Sequence, residues 1–181
     1  LEVVDDGTHT ASYALLDHAM LARGYEYQED NALNAVLADP QLDGVQYKVW
    51  LDNNAVCFVA IAATHRRQIT PEYRLVSHRR PDYLGEVWQD KAWTLYRVAD
   101  ANPIVAAPVR VVGFSQSELR LRVPCACTFG VRVRKPENLR AAIVPAPGSG
   151  QVAVPAELRP DGFGWTTMTT LQPGTYTLSG K

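Results

Sequence analysis

Residues 42–62, LDGVQYKVWLDNNAVCFVAIA, leave this chain few folds to choose from. Val56, Cys57, Phe58, Val59, Ala60 and Ile61 run without polar alternation. A strand with no polar face has to be covered on both sides, so it is expected in the middle of a sheet. Just before it, Leu42, Val45, Val49 and Trp50 fall at i, i+3, i+7 and i+8, which predicts a helix with one apolar stripe. Asp39-Pro40 offers that helix an acidic cap followed by proline at the first helical position. Asn53-Asn54 offers a left-handed stop.

The flanking segments extend this into a small α/β layer. Residues 1–4 form a candidate strand cut short by Asp5-Asp6-Gly7. Residues 11–22 carry helix formers, with Leu15, Leu16, Ala19 and Met20 roughly on one face, although extended structure fits them equally well. Thr70-Pro71-Glu72 starts a short helix that ends at Arg79-Arg80, where positive charge suits a C-terminus, and Pro81 closes it. Residues 83–88 and 93–98 read as a hairpin turned by Gln89-Asp90-Lys91-Ala92. A proline-bounded linker, residues 102–108, follows. Beyond it the signals become all-β, with strands expected at 109–114, 118–123, 128–134, 151–154, 164–170 and 175–178. The fold class is α+β, a small α/β layer followed by an antiparallel β-sandwich-like region. The expected subdomains are 1–101 and 102–181, packed as one unit.

A chain of 181 residues with a formal net charge of −1 suits one domain or two small ones, and gives no reason to expect nucleic-acid binding. The longest apolar run, residues 55–63, is about half a membrane span. With no initiator methionine or signal peptide, the sequence reads as a fragment of something larger. Three cysteines make no disulfide framework. Cys57 is expected to fill core space, and Cys125 and Cys127 are expected to pack. No nucleotide loop, HExxH or G-x-S-x-G motif is present, and His9, His18, His65 and His78 lack partners at ligand spacing. Neither a metal nor a cofactor is expected.

Arg23, Tyr25, Tyr27, Glu26, Glu29 and Asp30 form a loop in which carboxylates adjoin aromatic rings, a composition that sugar-acting sites use. Trp93 and Trp165 are either sugar-stacking platforms or buried sandwich aromatics, while Trp50 and Trp88 are expected in the core. Arg120 and Arg122 alternate with Leu119, Leu121 and Val123; Arg132 and Arg134 alternate with Phe129, Val131 and Val133. If a turn at Ala126 joins these runs as a hairpin, Arg120 faces Arg132. Like charges across a strand pair call for an acid, such as Glu118 or Glu137, an anionic ligand, or splayed, solvated side chains.

Four stretches together resemble a known family: ARGYEYQEDNALN at 22–34, YKVWLDNNAVCFVAIA at 47–62, YLGEVWQDKAWTLYRV at 83–98 and VRVR at 131–134. They look like the C-terminal extracytoplasmic region of actinobacterial multi-spanning membrane proteins related to GT-C-type, lipid-linked glycosyltransferases. The order agrees along nearly the whole chain. It departs at Thr10-Ala11, where the pattern has Trp-Glu, at Tyr25, where it has tryptophan, and at Thr64, before which it has an acid. The resemblance implies a domain on the outer face of the plasma membrane, attached to the membrane-embedded remainder of its parent chain. Catalysis would lie in that membrane part. This domain would bind or position a cell-envelope glycan through Arg23, Tyr25, Glu26, Asp30, Trp93, Trp165, Arg120 and Arg132. The alternatives are a structural or protein-interaction domain without a small-molecule ligand, and a hydrolase using Glu26 with Glu29 or Asp30.

Overall fold

The structure is a computed structural model. It describes residues 1–4, 10–15, 18–23, 34–63, 69–115, 118–133, 142–145, 147–148, 150, 152–155, 157–160 and 165–179. The chain divides into two compact units, Leu1–Asn102 and Pro103–Lys181. The architecture is mixed α+β, as expected.

In the first unit the apolar run becomes strand β2 (Phe58–Ala62). It lies inside a four-stranded sheet of order β1-β2-β4-β3. β1 (Glu2–Val3) runs parallel to it, and β4 (Trp93–Val98) runs antiparallel on its other side. Val59, Ala60, Ile61 and Ala62 are all buried, which is what a run with no polar face requires. β3 (Leu84–Gln89) completes the expected hairpin with β4, with a bulge between Glu86 and Trp88. The turn is held by Asp90, whose carboxylate accepts from the amides of Ala92 and Trp93 at 2.7 and 2.8 Å. Trp88 is half exposed on this edge strand rather than in the core.

The helix before β2 differs from the expected one in both start and face. Its span is Gly44–Asn53 (α2), after a one-turn helix α1 (Thr10–Tyr13) and a 3-10 turn at Ala35–Ala38. Asp43 is the cap. Its carboxylate accepts from the Gln46 amide at 2.8 Å, and the Gln46 side chain accepts from the Asp43 amide at 3.1 Å. This reciprocal pair satisfies two amides, more than the Asp39-Pro40 signal offers. Asp39 instead turns the chain, accepting from the Gln41 amide.

α2 buries Tyr47, Trp50 and Leu51 and leaves Val45 73% and Val49 51% exposed. Aromatic rings bury far more area than valines, so the helix turns its larger side chains inward. The Tyr47 and Trp50 rings stack 6.3 Å apart, and the Trp50 indole donates to the Asn34 side-chain oxygen Oδ1 at 2.9 Å. At the far end Asn54 donates its side-chain amide to the Trp50 carbonyl, while Ala55 takes the left-handed conformation at φ 53°.

The second helix starts as expected. Thr70 caps α3 (Pro71–Arg74), its hydroxyl accepting from the Tyr73 amide at 3.1 Å. The helix then widens into a π-turn, Leu75–Arg79, stopped by left-handed Arg80 at φ 39°. Tyr73, Leu75 and Val76 join Tyr47, Trp50, Leu51, Val56, Val59, Ile61, Leu84, Tyr96 and Val98 in one core.

The second unit has two sheets. β5 (Arg110–Phe114), β6 (Glu118–Val123), β12 (Gly174–Ser179), β8 (Ala142–Pro145) and β9 (Val154–Pro155) form the larger, in the order β5-β6-β12-β8-β9. β10 (Glu157–Pro160), β11 (Trp165–Leu171) and β7 (Cys127–Val133) form the smaller, in the order β10-β11-β7. Leu121, Val123, Ile143, Tyr176 and Leu178 of the larger sheet share one core with Phe129, Val131 and Leu171 of the smaller.

Two expectations fail here for one reason. β6 and β7 do not form a hairpin: β6 pairs with β5 and β12, and β7 pairs with β11. The turn at Pro124–Ala126 carries the chain from one sheet to the other, so Arg120 and Arg132 stand on different sheets. The expected linker is structural as well. Val105 is buried and bridges Val131, and the Arg132 amide donates to the Ile104 carbonyl at 2.8 Å, covering an edge of β7.

Candidate functional site

Among the described residues, two arrangements concentrate charge. The first is sealed inside the first unit. Arg23 extends a guanidinium that is 6% exposed, and its Nη2 lies 2.6 Å from Glu2 Oε1 and 2.6 Å from Glu72 Oε2. The same nitrogen donates to the Val3 carbonyl at 3.0 Å. Tyr47, fully buried, donates its hydroxyl to Glu72 Oε1 at 2.8 Å. Burial, then the Glu72 carboxylate, pushes the Tyr47 phenol well above its ordinary value, so it remains a donor. Glu2 comes from β1, Tyr47 from α2 and Glu72 from the first turn of α3, and Arg23 ties the three together.

Ions removed from water are tolerated when paired, and here Arg23 pairs with both carboxylates while the hydrogen bonds from Arg23 and Tyr47 go to Glu72. Glu2 is 0% exposed and Glu72 1%, so neither carboxylate is available to a substrate from solvent. The chemistry of the cluster is therefore architectural. Arg23, read in sequence as a ligand contact, turns its guanidinium inward. Nothing local in the sequence announces the cluster, because its members lie 49 residues apart in the Arg23–Glu72 case and 25 in the Tyr47–Glu72 case.

The second arrangement lies in the open, on the outward face of the five-stranded sheet. β6 alternates strictly: Leu121 and Val123 are buried while Glu118, Arg120 and Arg122 are exposed. Its register places Arg110 of β5 directly opposite Arg122, and Arg120 opposite Gly113. On the other side Arg122 faces Thr175 and Arg120 faces Thr177, which in turn faces Val144 of β8. Like charges directly opposite destabilise a strand pair. Among the described residues no carboxylate pairs with Arg110, Arg120 or Arg122; the ion pairs are Arg23 with Glu2 and Glu72, Lys48 with Asp52, and Arg80 with Glu86.

No family model, curated protein or solved structure matches this chain.

The remaining residues singled out from the sequence are scattered. Tyr25, Glu26 and Asp30, with Tyr27 and Glu29, lie outside the described residues. Trp93 begins β4, half buried against Val3, Ala11 and Ala62. Trp165 begins β11, opposite Val133 and Pro160. Arg132 is half buried on β7. Of these residues Arg120 belongs to the exposed cationic face; Arg122 beside it on β6, and Arg110 opposite Arg122, complete the face without being sequence candidates. The alternation of arginine is legible in ELRLRV, but the pairing that adds Arg110 is not.

Cys127 lies with its sulfur 3.1 Å from the Cys125 carbonyl, and both thiols are free. The Cys127 hydrogen bond pushes the Cys125 thiol up, away from the thiolate form that reactive cysteines need. Cys57 is also pushed up, chiefly by burial. Among the described residues no group of three or more His, Cys, Asp or Glu side chains is placed to hold a metal, and no helix is long and apolar enough to cross a membrane.

Proposed function

We propose that this chain is a non-catalytic domain on the extracytoplasmic face of the plasma membrane, part of a multi-spanning glycosyltransferase-like protein, where it binds or positions a cell-envelope glycan. The parent chain, on this reading, transfers sugar from a lipid-linked donor within its membrane-embedded remainder. The observation that carries the reading is the open face of the five-stranded sheet. It presents Arg120 and Arg122 beside Thr175 and Thr177, without carboxylate partners among the described residues. Guanidinium and hydroxyl groups are suited to the hydroxyl-rich surface of a polysaccharide.

Native electrophoresis of the 181-residue chain through gels containing arabinan, mannan or galactan tests the reading. Retardation by at least one polymer is the expected result. Unchanged mobility in all of them, at up to millimolar sugar-repeat concentration, contradicts it.

A second reading, a structural or protein-interaction domain with no small-molecule ligand, draws on different residues. Val45 and Val49 on α2, and Val87 and Trp88 on the edge strand β3, expose large apolar side chains. Such groups suit a partner surface. Under this reading Val45→Ser with Val49→Ser abolishes association with the parent chain, while glycan mobility shifts are absent throughout.

A further inference from the structure

Arg110 and Arg122 stand directly opposite one another on neighbouring strands, and Arg120 follows two residues along β6 on the same face. Paired positions on adjacent strands are about 5 Å apart, and alternate residues along a strand about 7 Å apart. Three arginine positions therefore lie within the span of one or two sugar residues. Gly113 lies opposite Arg120, and a Cβ added there would meet the Arg120 Cβ at 3.6 Å and Nη1 at 4.0 Å, ordinary contact distances. The acid on the same stretch, Glu118, is exposed, pairs in register with Ser179, and makes no ion pair with Arg120.

We infer that this outward face binds the anionic groups, carboxylate or phosphodiester, of an acidic glycan, with Arg110, Arg120 and Arg122 as the charge-recognising residues. The inference rests on the glycan-binding reading and narrows its ligand class. Charge complementarity selects the occupant. An arginine pair with no carboxylate partner among the described residues is relieved by an anion, while the chain as a whole, at net −1, has no general attraction for polyanions. The flanking Thr175 and Thr177 lie along the same rows, and their hydroxyls can both donate to and accept from sugar hydroxyls, whereas a phosphate group can only accept from them.

Isothermal titration of the full chain with oligogalacturonate hexamer, its fully methyl-esterified form, and tripolyphosphate separates the possibilities. The acidic hexamer is expected to bind and to weaken about tenfold between low and physiological salt. The methyl ester is expected to bind at least tenfold less tightly. Replacing Arg120 and Arg122 together by serine is expected to cost at least tenfold, while Arg74→Ser, removing one exposed charge from the first unit, leaves binding unchanged. A circular-dichroism melt of the double variant checks folding, and Arg110→Ser, on the edge strand β5, provides an independent loss of charge.

Equal binding of acid and ester overturns the inference and leaves neutral-glycan binding standing. Response to tripolyphosphate, or to phosphatidylglycerol vesicles, with none to any oligosaccharide overturns both readings. Binding of the acid that survives all three arginine replacements also overturns the inference.

Discussion

Tyr47 shows how much depends on single side chains in the first unit. Its hydroxyl is one of the donors to a buried carboxylate, so Tyr47→Phe leaves a Glu72 oxygen short of a partner. The expected cost is about 1–3 kcal/mol, read as a lower urea midpoint with an unchanged slope. The same substitution has a pH signature. Folded Tyr47 has its pKa raised, by burial and then by Glu72, while the unfolded phenol ionises near pH ~10. Below that pH both states hold the proton and stability is flat. Above it the unfolded chain releases a proton that the folded one keeps, so stability falls by up to about 1.4 kcal/mol per pH unit. Tyr83, raised by burial and then by Asp43 and Asp52, contributes in the same direction. Urea titrations from pH 8 to 11 should therefore show a shallower alkaline decline in Tyr47→Phe than in the parent; equal slopes contradict the assignment. Arg23→Met removes the cation between two buried carboxylates, and about 3–5 kcal/mol of destabilisation is expected from the same midpoints. None of this is legible in the sequence, where Glu72 reads as a first-turn acid and Arg23 as a surface group. Charge clusters assembled over tens of residues leave no local pattern.

At the scale of elements the sequence is more informative, and its failures have specific causes. The buried strand β2, the β3–β4 hairpin and the Thr70 cap follow from rules that act within a few residues. The face of α2 does not, because periodicity admits a valine stripe and an aromatic stripe equally, and burial area decides between them. The β6–β7 pairing fails because a short turn between two alternating runs fits a hairpin as well as an arch between sheets. The end of α2 gives a direct prediction. Ala55 holds φ 53°, a conformation that costs an L residue about 1–2 kcal/mol and glycine almost nothing. After the extra unfolded-state entropy of glycine, Ala55→Gly should raise stability by about 0.5–1 kcal/mol, seen as a higher urea midpoint. A lower midpoint would show that the Ala55 methyl packs to more effect than its backbone is strained.

For the whole molecule, the two units divide the roles. Leu1–Asn102 is built around a sealed ionic cluster and a large aromatic core, while Pro103–Lys181 leaves a cationic sheet face open. The fold class was legible, since helix caps and apolar runs in the first part of the chain give way to short alternating strands in the second. The candidate site was legible only as arginine alternation on one strand, because the strand that completes it is chosen by sheet pairing. The proposal that this chain binds glycan makes the second unit the place of contact. Amide chemical-shift mapping of the isotopically labelled chain, titrated with arabinan, mannan, galactan and galacturonan fragments, reads that contact residue by residue. Shifts concentrated on β5, β6 and β12 and saturating with at least one fragment are the predicted result. The account is contradicted if no fragment shifts any amide at millimolar concentration, or if every shift falls within Leu1–Asn102.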